Sequence, residues 1–153
     1  MGMPDNAKHA MTTTRTRLLC LDVGDRRIGV AIGAGNLATP YTTIQRRSPE
    51  GDVAAIVQLA QREEVGRIIV GMPFSLDGSI GPQARLTQAF CETLKGASLV
   101  PVETWDERFS STEAERLLRE AGIPPSRNRD RLDASAAAVI LQSYLDARRL
   151  KQA

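Results

Sequence analysis

Arg17-Leu18-Leu19-Cys20-Leu21-Asp22-Val23, then Gly24-Asp25-Arg26-Arg27, then Ile28-Gly29-Val30-Ala31-Ile32, is the stretch on which the fold turns. The first seven residues are apolar at positions of both parities, the pattern of a strand buried on both faces. Gly24 to Arg27 reads as a tight turn, and Ile28 to Ile32 as a second strand paired to the first in a hairpin. Thr39 to Gln45 is β-rich and reads as a third strand, closed by Arg46-Arg47-Ser48-Pro49. A strand that needs apolar cover on both faces belongs at the centre of its sheet, so the first strand is placed there.

Beyond Pro49 the period changes. Val53, Ile56, Val57 and Ala60 repeat at helical spacing. Arg67 to Gly71 is again a short buried strand, of the parallel-sheet type. Met72 to Pro82, punctuated by Gly and Pro, reads as a loop. Leu86, Ala89, Phe90 and Leu94 mark a helix, and Leu99 to Trp105 a strand. Ser110 with Glu113 forms a capping box that opens a helix with Ala114, Leu117, Leu118 and Ala121 inward, stopped by Gly122, Pro124 and Pro125. Arg127 to Arg131 reads as a basic loop. The last helix, about Leu132 to Arg148, places Ala134, Ala137, Ala138, Leu141 and Leu145 on one face, small enough for close approach to a sheet. The order β-β-β-α-β-α-β-α-α implies an α/β fold: a mixed five-stranded sheet, a three-strand meander plus two parallel strands, with helices on its faces.

At 153 residues the chain holds one domain. Residues 17–150 are assigned to it, and residues 1–16 to a disordered polar tail, with Met11 as an alternative start. The tail has no apolar core of a secretory signal, so the cytoplasm is the expected compartment. The longest apolar run, Ala136 to Leu141, is far short of a membrane span. Two cysteines and one histidine, His9 in the tail, exclude a disulfide framework, Ser-His triads and histidine-based zinc hydrolases. Cys20 and Cys91 are expected to be buried and inert. All but three of the 20 basic residues are arginine, the side chain best shaped for phosphate. Residues 1–49 are net +4, residues 50–107 net −5 and residues 108–153 net +3. Basic ends around an acidic middle fit either an ordinary solvated surface or a polyanion-binding one.

Chemistry then falls to carboxylates. Asp22 closes the central strand, where an ionised carboxylate is costly unless it is paired or metal-bound; the plainer alternative is that it satisfies the turn at Gly24. Asp106 and Glu107 follow the last strand, at the carboxyl edge where open α/β sheets place ligands, or else form a solvated turn. Asp133 stands in the first turn of the last helix, either favouring the helix dipole or facing the same edge. Three carboxylates meeting there would repel one another unless a divalent cation joined them. Oxygen ligands without His or Cys select Mg²⁺ or Mn²⁺. Two such ions about 4 Å apart would clamp the attacking and leaving oxygens of a phosphodiester. Arginines, among them Arg27, Arg108, Arg127, Arg129 and Arg131, would hold the nucleic-acid backbone; for Arg108 the alternative is an ion pair with Asp106 or a neighbouring Glu. Trp105 is expected in the core.

Four segments in order carry a resemblance. They are Leu21-Asp22-Val23-Gly24 with Arg27-Ile28-Gly29-Val30-Ala31; Ile69-Val70-Gly71-Met72-Pro73 with Asp77-Gly78-Ser79 and Gly81-Pro82-Gln83-Ala84; Trp105-Asp106-Glu107-Arg108 with Ser111-Thr112-Glu113-Ala114-Glu115; and Leu132-Asp133-Ala134 running into Ala137 to Leu141. Together they resemble the YqgF (RuvX) family of RNase H-like nucleases, relatives of the RuvC-type Holliday junction resolvases. The resemblance implies an RNase H-like fold, maturation of the 5′ end of 16S ribosomal RNA, and an acidic site of Asp22, Glu107 and Asp133. Phe74-Ser75, Phe109-Ser110-Ser111 and Asp25-Arg26 depart from the usual family residues, and Asp25 adds a negative charge near the acidic edge. The partners it implies are pre-rRNA, ribosomal particles or branched DNA, met by a monomer or a homodimer. A branched-DNA resolvase and a non-catalytic nucleic-acid-binding module are the competing readings. The 72–82 loop matches the family without an evident chemical role; it is either a rigid turn that starts the next helix or a set of amides meeting phosphate.

Overall fold

The structure, a computed structural model, describes residues 16–110 and 129–152. The expected tail up to Arg15, the capping box with its helix and stop, and Arg127 lie outside the described residues.

Five strands form one sheet: β1 (Arg17–Val23), β2 (Arg27–Ala34), β3 (Leu37–Gln45), β4 (Val65–Met72) and β5 (Val102–Asp106). Their spatial order is β3-β2-β1-β4-β5, with β1 at the centre as its two-sided apolar pattern requires. β1, β2 and β3 pair antiparallel, while β4 runs parallel to both β1 and β5.

Among the described residues, three helices cover the two faces. On one face α1 (Pro49–Arg62) and α2 (Pro82–Ala97) pack over Leu19, Leu21, Val23, Ile68 and Val70. On the other, α3 (Arg129–Gln152) lies across Leu18, Cys20, Ala31 and Ile69 through Ala137, Ala138, Ile140, Leu141 and Leu145. All five residues expected on the inner face of the last helix are buried. Ser48 caps α1, accepting from the Gly51 amide at 3.1 Å, and Pro49 follows at the first helical position, where its missing N–H costs nothing. Among the described residues no helix is long and apolar enough to cross a membrane.

Three expectations are corrected. In α2 the buried stripe is Ala84, Thr87, Cys91 and Leu94 with Phe90, whereas Leu86 and Ala89 face outward. A polar residue conceals the stripe: Thr87 is fully buried because its hydroxyl donates to its own helix, to the Gln83 carbonyl at 3.0 Å. β5 begins at Val102, not Leu99. Pro101 has no N–H for the ladder and instead offers its carbonyl to the Ile68 amide, at 2.9 Å, and Leu99 is left 76% exposed. The last helix already includes Arg129 and Arg131, so both belong to it and not to a loop.

Candidate active site

Strand parity sets the side on which each acid appears. Leu19, Leu21 and Val23 face α1 and α2; Leu18 and Cys20, and by the same alternation Asp22, face α3. Asp22 is half-buried at the carboxyl end of the central strand. In the antiparallel ladder it stands opposite Gly29 of β2. On its other side Leu21 pairs with Val70, and continuing that register by one residue sets Asp22 beside Gly71 of β4.

Those two glycines let neighbouring elements come close beside Asp22. A Cβ on Gly29 would fall 2.0 Å from the Asp133 carbonyl oxygen and 2.5 Å from its carbon, so the α3 backbone lies directly on the bare strand. A Cβ on Gly71 would fall 3.2 Å from Cγ and 3.5 Å from Cδ of Glu107. Glu107 begins a short 3₁₀ turn (Glu107–Phe109) after β5 and is 5% exposed. Asp22 therefore lies between two glycines at the carboxyl edge of the parallel strands, one covered by the Asp133 main chain and the other by the Glu107 side chain. Cys20, one residue pair below, registers two of these charges. Burial first, then Asp22 and Glu107, hold its thiol well above its ordinary value, so it stays protonated and unreactive as a nucleophile. Burial likewise pushes the Cys91 thiol up to about 11.

The three acids do not close into a three-ligand nest; among the described residues there is no group of three or more His, Cys, Asp or Glu side chains that could hold a metal ion. Asp133 is instead engaged by Arg27, whose Nε donates to Oδ2 at 2.7 Å. Chemically the donor set is all carboxylate oxygen, which fits a hard divalent cation and no softer metal.

Asp106 and Glu107 have different fates. Asp106 accepts from the Arg108 backbone amide at 2.9 Å and from the Arg108 Nε and Nη2 atoms, the latter at 2.6 Å. The ion-pair alternative for Arg108 is thus the one observed. Arg108 also donates to the Leu76 carbonyl at 3.3 Å and lies 5.8 Å from the Phe74 ring centroid. It ties the turn that carries Glu107 to the loop of residues 73–81. That loop closes on itself, Ser75 to Ser79 at 3.0 Å and Gly78 to Ser75 at 2.8 Å, with Gly78 at φ +88°. The guanidinium holds the Asp106 carboxyl below the usual carboxylate range. Stability from this pair is therefore complete above the unfolded carboxyl value of about 4 and is lost as pH falls through the lower folded value. The urea midpoint of Arg108→Gln, followed by Trp105 fluorescence, is expected to lie slightly below wild type at pH 7, the two converging near pH ~2. A gap of constant size across that range would show that the pair contributes nothing.

Sequence reasoning missed the supports of the turn after Asp22. Arg46 donates through Nη1 to the Gly24 carbonyl at 3.0 Å and through Nε to Asp52 at 3.1 Å; the Arg47 amide completes the buried Asp52 at 3.0 Å. Gln83, at the start of α2, donates to the Val23 carbonyl at 3.3 Å. The only available signal was the order Arg46-Arg47 before an acid-rich first helical turn, which reads equally well as surface. Trp105 is half-buried at the sheet edge, its Nε1 donating to Ser143 at 3.1 Å and its ring edge-on to Phe109 and Tyr144. Arg129 and Arg131 lie on α3, ahead of Asp133.

Comparison with known proteins gives three results. The family model described as "RuvX: Holliday junction resolvase" matches residues 16–147. A protein of Chloroflexus aurantiacus named "Putative pre-16S rRNA nuclease" is 48% identical over 134 residues, 86% of this chain and 88% of its own. One of Symbiobacterium thermophilum with the same name is 50% identical over 130 residues, 84% of this chain and 90% of its own. Among solved structures, T. thermophilus RuvC in complex with Holliday junction substrate superposes with a TM-score of 0.54 at 16% identity, covering 88% of this chain and 96% of that one. The fowlpox virus Holliday junction resolvase gives 0.51 at 14%, covering 86% and 99%. At these identities the two structures establish the shared RNase H-like fold.

Proposed function

Because the chain belongs to the RuvX family, we propose that it is a nuclease that hydrolyses a phosphodiester bond during 5′-end maturation of pre-16S ribosomal RNA in the cytoplasm. What supports this reading is the position of Asp22 at the end of the central strand, opposite Gly29 and by register beside Gly71, with the Asp133 main chain packed on the first glycine and the Glu107 side chain on the second. The relatives' names support the RNA substrate.

Asp22, Glu107 and Asp133 would hold divalent cations, Mg²⁺ or Mn²⁺, which when bound supply charge compensation and activation of water. The chain's own residues do the rest. Asp22 stands on the most rigid element, the central strand, so its carboxylate is fixed relative to the scissile phosphate. Glu107 is buried and keeps bulk water from that flank. Arg27, at the start of β2 on the same face, brings a guanidinium to phosphate height. Arg129 and Arg131, on α3 ahead of Asp133, would meet the nucleic-acid backbone as it runs on.

The test is purified protein with Mn²⁺, offered pre-16S leader RNA and a four-way DNA junction side by side. Cleavage of the leader near the mature 5′ end is expected. Cleavage of the junction alone would replace the RNA reading with the resolvase one that the family description carries.

A further inference from the structure

Trp105, Gly71, Asp22 and Gly29 stand side by side across four strands. Trp105 pairs with Gly71 and Asp22 with Gly29, while continuation of the β1–β4 register sets Asp22 beside Gly71. Trp105 packs against the core cluster beneath α3, so its ring takes the same face of the sheet as Asp22. At a strand spacing of about 4.8 Å, two strands put Trp105 about 10 Å from Asp22. At that end of the row, between the turn of Glu107 and α3, lies a groove of about 670 Å³ lined by Trp105, Phe109, Val139, Ser143, Ala147 and Leu150. We infer that this groove receives one unpaired base of the substrate, with the Phe109 ring as its stacking face. The inference rests on the reading of the chain as a nuclease of pre-16S ribosomal RNA and adds what it recognises beside the cleaved bond, a nucleotide without a pairing partner.

Three observations carry it. Phe109 is 64% exposed and Leu150 73%, and Phe109 stands only two residues beyond Glu107, on the same 3₁₀ turn. The aromatic face is fixed before anything binds. The Trp105 indole donates to the Ser143 hydroxyl at 3.1 Å, that hydroxyl donates to the Phe109 carbonyl at 2.9 Å, and the two rings meet edge-on with centroids 5.3 Å apart. A preformed ring takes a base without the entropy of ordering itself. The polar lining favours a base over a phosphate. Among the described residues that line the groove there is no lysine or arginine, whereas Asp146 contributes a carboxylate, which repels the backbone and accepts from the amino edge of a base. A base inside a duplex has its faces stacked and its edge paired, so the groove selects single strands.

Trp105 is the chain's single tryptophan and lines the groove, so its fluorescence reports what enters. The titrants are a single-stranded oligoribonucleotide spanning the mature 5′ end and the same sequence as a duplex, both in EDTA so that nothing is cut. Phe109→Leu is expected to bind the single strand about tenfold more weakly, the scale of one base stacked on a ring. Phe109→Tyr should stay within about twofold of wild type, and the duplex should bind all three proteins equally. An abasic nucleotide moved along the strand should cost wild type about tenfold at one position and cost Phe109→Leu nothing there. The urea midpoint of Phe109→Leu should match wild type, as for a ring in solvent. Equal single-strand affinities, a loss of the same size on the duplex, or no abasic position that separates the two proteins would overturn the stacking role. So would a urea midpoint lowered as by the loss of a core ring, which would mean that the fold itself covers Phe109. None of these results touches the nuclease reading, which fails instead if wild type shows the Phe109-dependent preference and yet cuts no leader RNA with Mn²⁺.

Discussion

Asp22→Asn is expected to lower phosphodiester cleavage by about 10³-fold, equivalent to about 4 kcal/mol of barrier, while leaving the fold in place. Asparagine matches aspartate in shape, so it occupies the same space between Gly29 and Gly71 and strains nothing. The change removes a charge from a patch that already carries Glu107 and Asp133, which lessens repulsion in the folded protein; stability should move by less than about 1 kcal/mol. Only the ability to hold a cation against the substrate is lost. Asp106→Asn makes the contrast. Its carboxylate is held by Arg108 and lies outside the patch, so its rate should fall no more than a few-fold. Single-turnover rates on leader RNA measure both, and accumulation of unprocessed precursor in cells reports the first in vivo. Undiminished processing in cells carrying Asp22→Asn would leave a nucleic-acid-binding module in place of an enzyme.

Gly29→Ala should destabilise the protein by about 3 kcal/mol, about 10 °C in Tm, and abolish cleavage even where the protein remains folded. Gly29 lies in a strand, where alanine is conformationally acceptable and would ordinarily add stability by restricting the unfolded chain. The obstacle is space alone. The new Cβ would sit 2.0 Å from a carbonyl oxygen, so the α3 backbone must lift by more than an ångström. That backbone belongs to Asp133, and lifting it disturbs the Arg27 pair and the packing of Ala137 and Leu141 behind it. Gly96→Ala in α2 is the control: nothing lies within 4 Å of its Cβ position, and the exchange should stabilise the helix by about 0.5–1 kcal/mol. Urea unfolding of the two variants measures the difference. Equal effects would mean that α3 rests on the sheet more loosely than its geometry states.

The acids differ in how visible they are from the chain alone. Asp22 is betrayed by its neighbours: five apolar residues, Leu18 to Leu21 and Val23, buried on both faces make a carboxylate at the strand end conspicuous, and alternation also settles the face it takes. Glu107 and Asp106 are adjacent and chemically alike, and no local pattern separates them. The choice is made by a 3₁₀ turn that buries one against Gly71 and by a guanidinium that captures the other. For Arg108 the residue type promised phosphate, but its partners were one turn and one loop away. Arg46 and Asp52 escaped notice because an ion pair between a strand end and a helix start leaves no periodic trace.

The four motif segments pointed to the family by resemblance, while periodicity and local chemistry, read from the chain, determined the order of the described elements, the central position of β1 and the inner face of the last helix. These follow from short-range rules, alternation in strands and the 3.6-residue repeat in helices, which every residue obeys wherever the chain goes next. The folded arrangement decided where the carboxyl edge of the sheet meets the last helix, which acid turns inward, and that Arg27 and Asp133 face one another. Such pairings join residues as many as 106 positions apart. They depend on packing distances of a fraction of an ångström between elements, and an amino-acid order carries that information only jointly, through the whole fold.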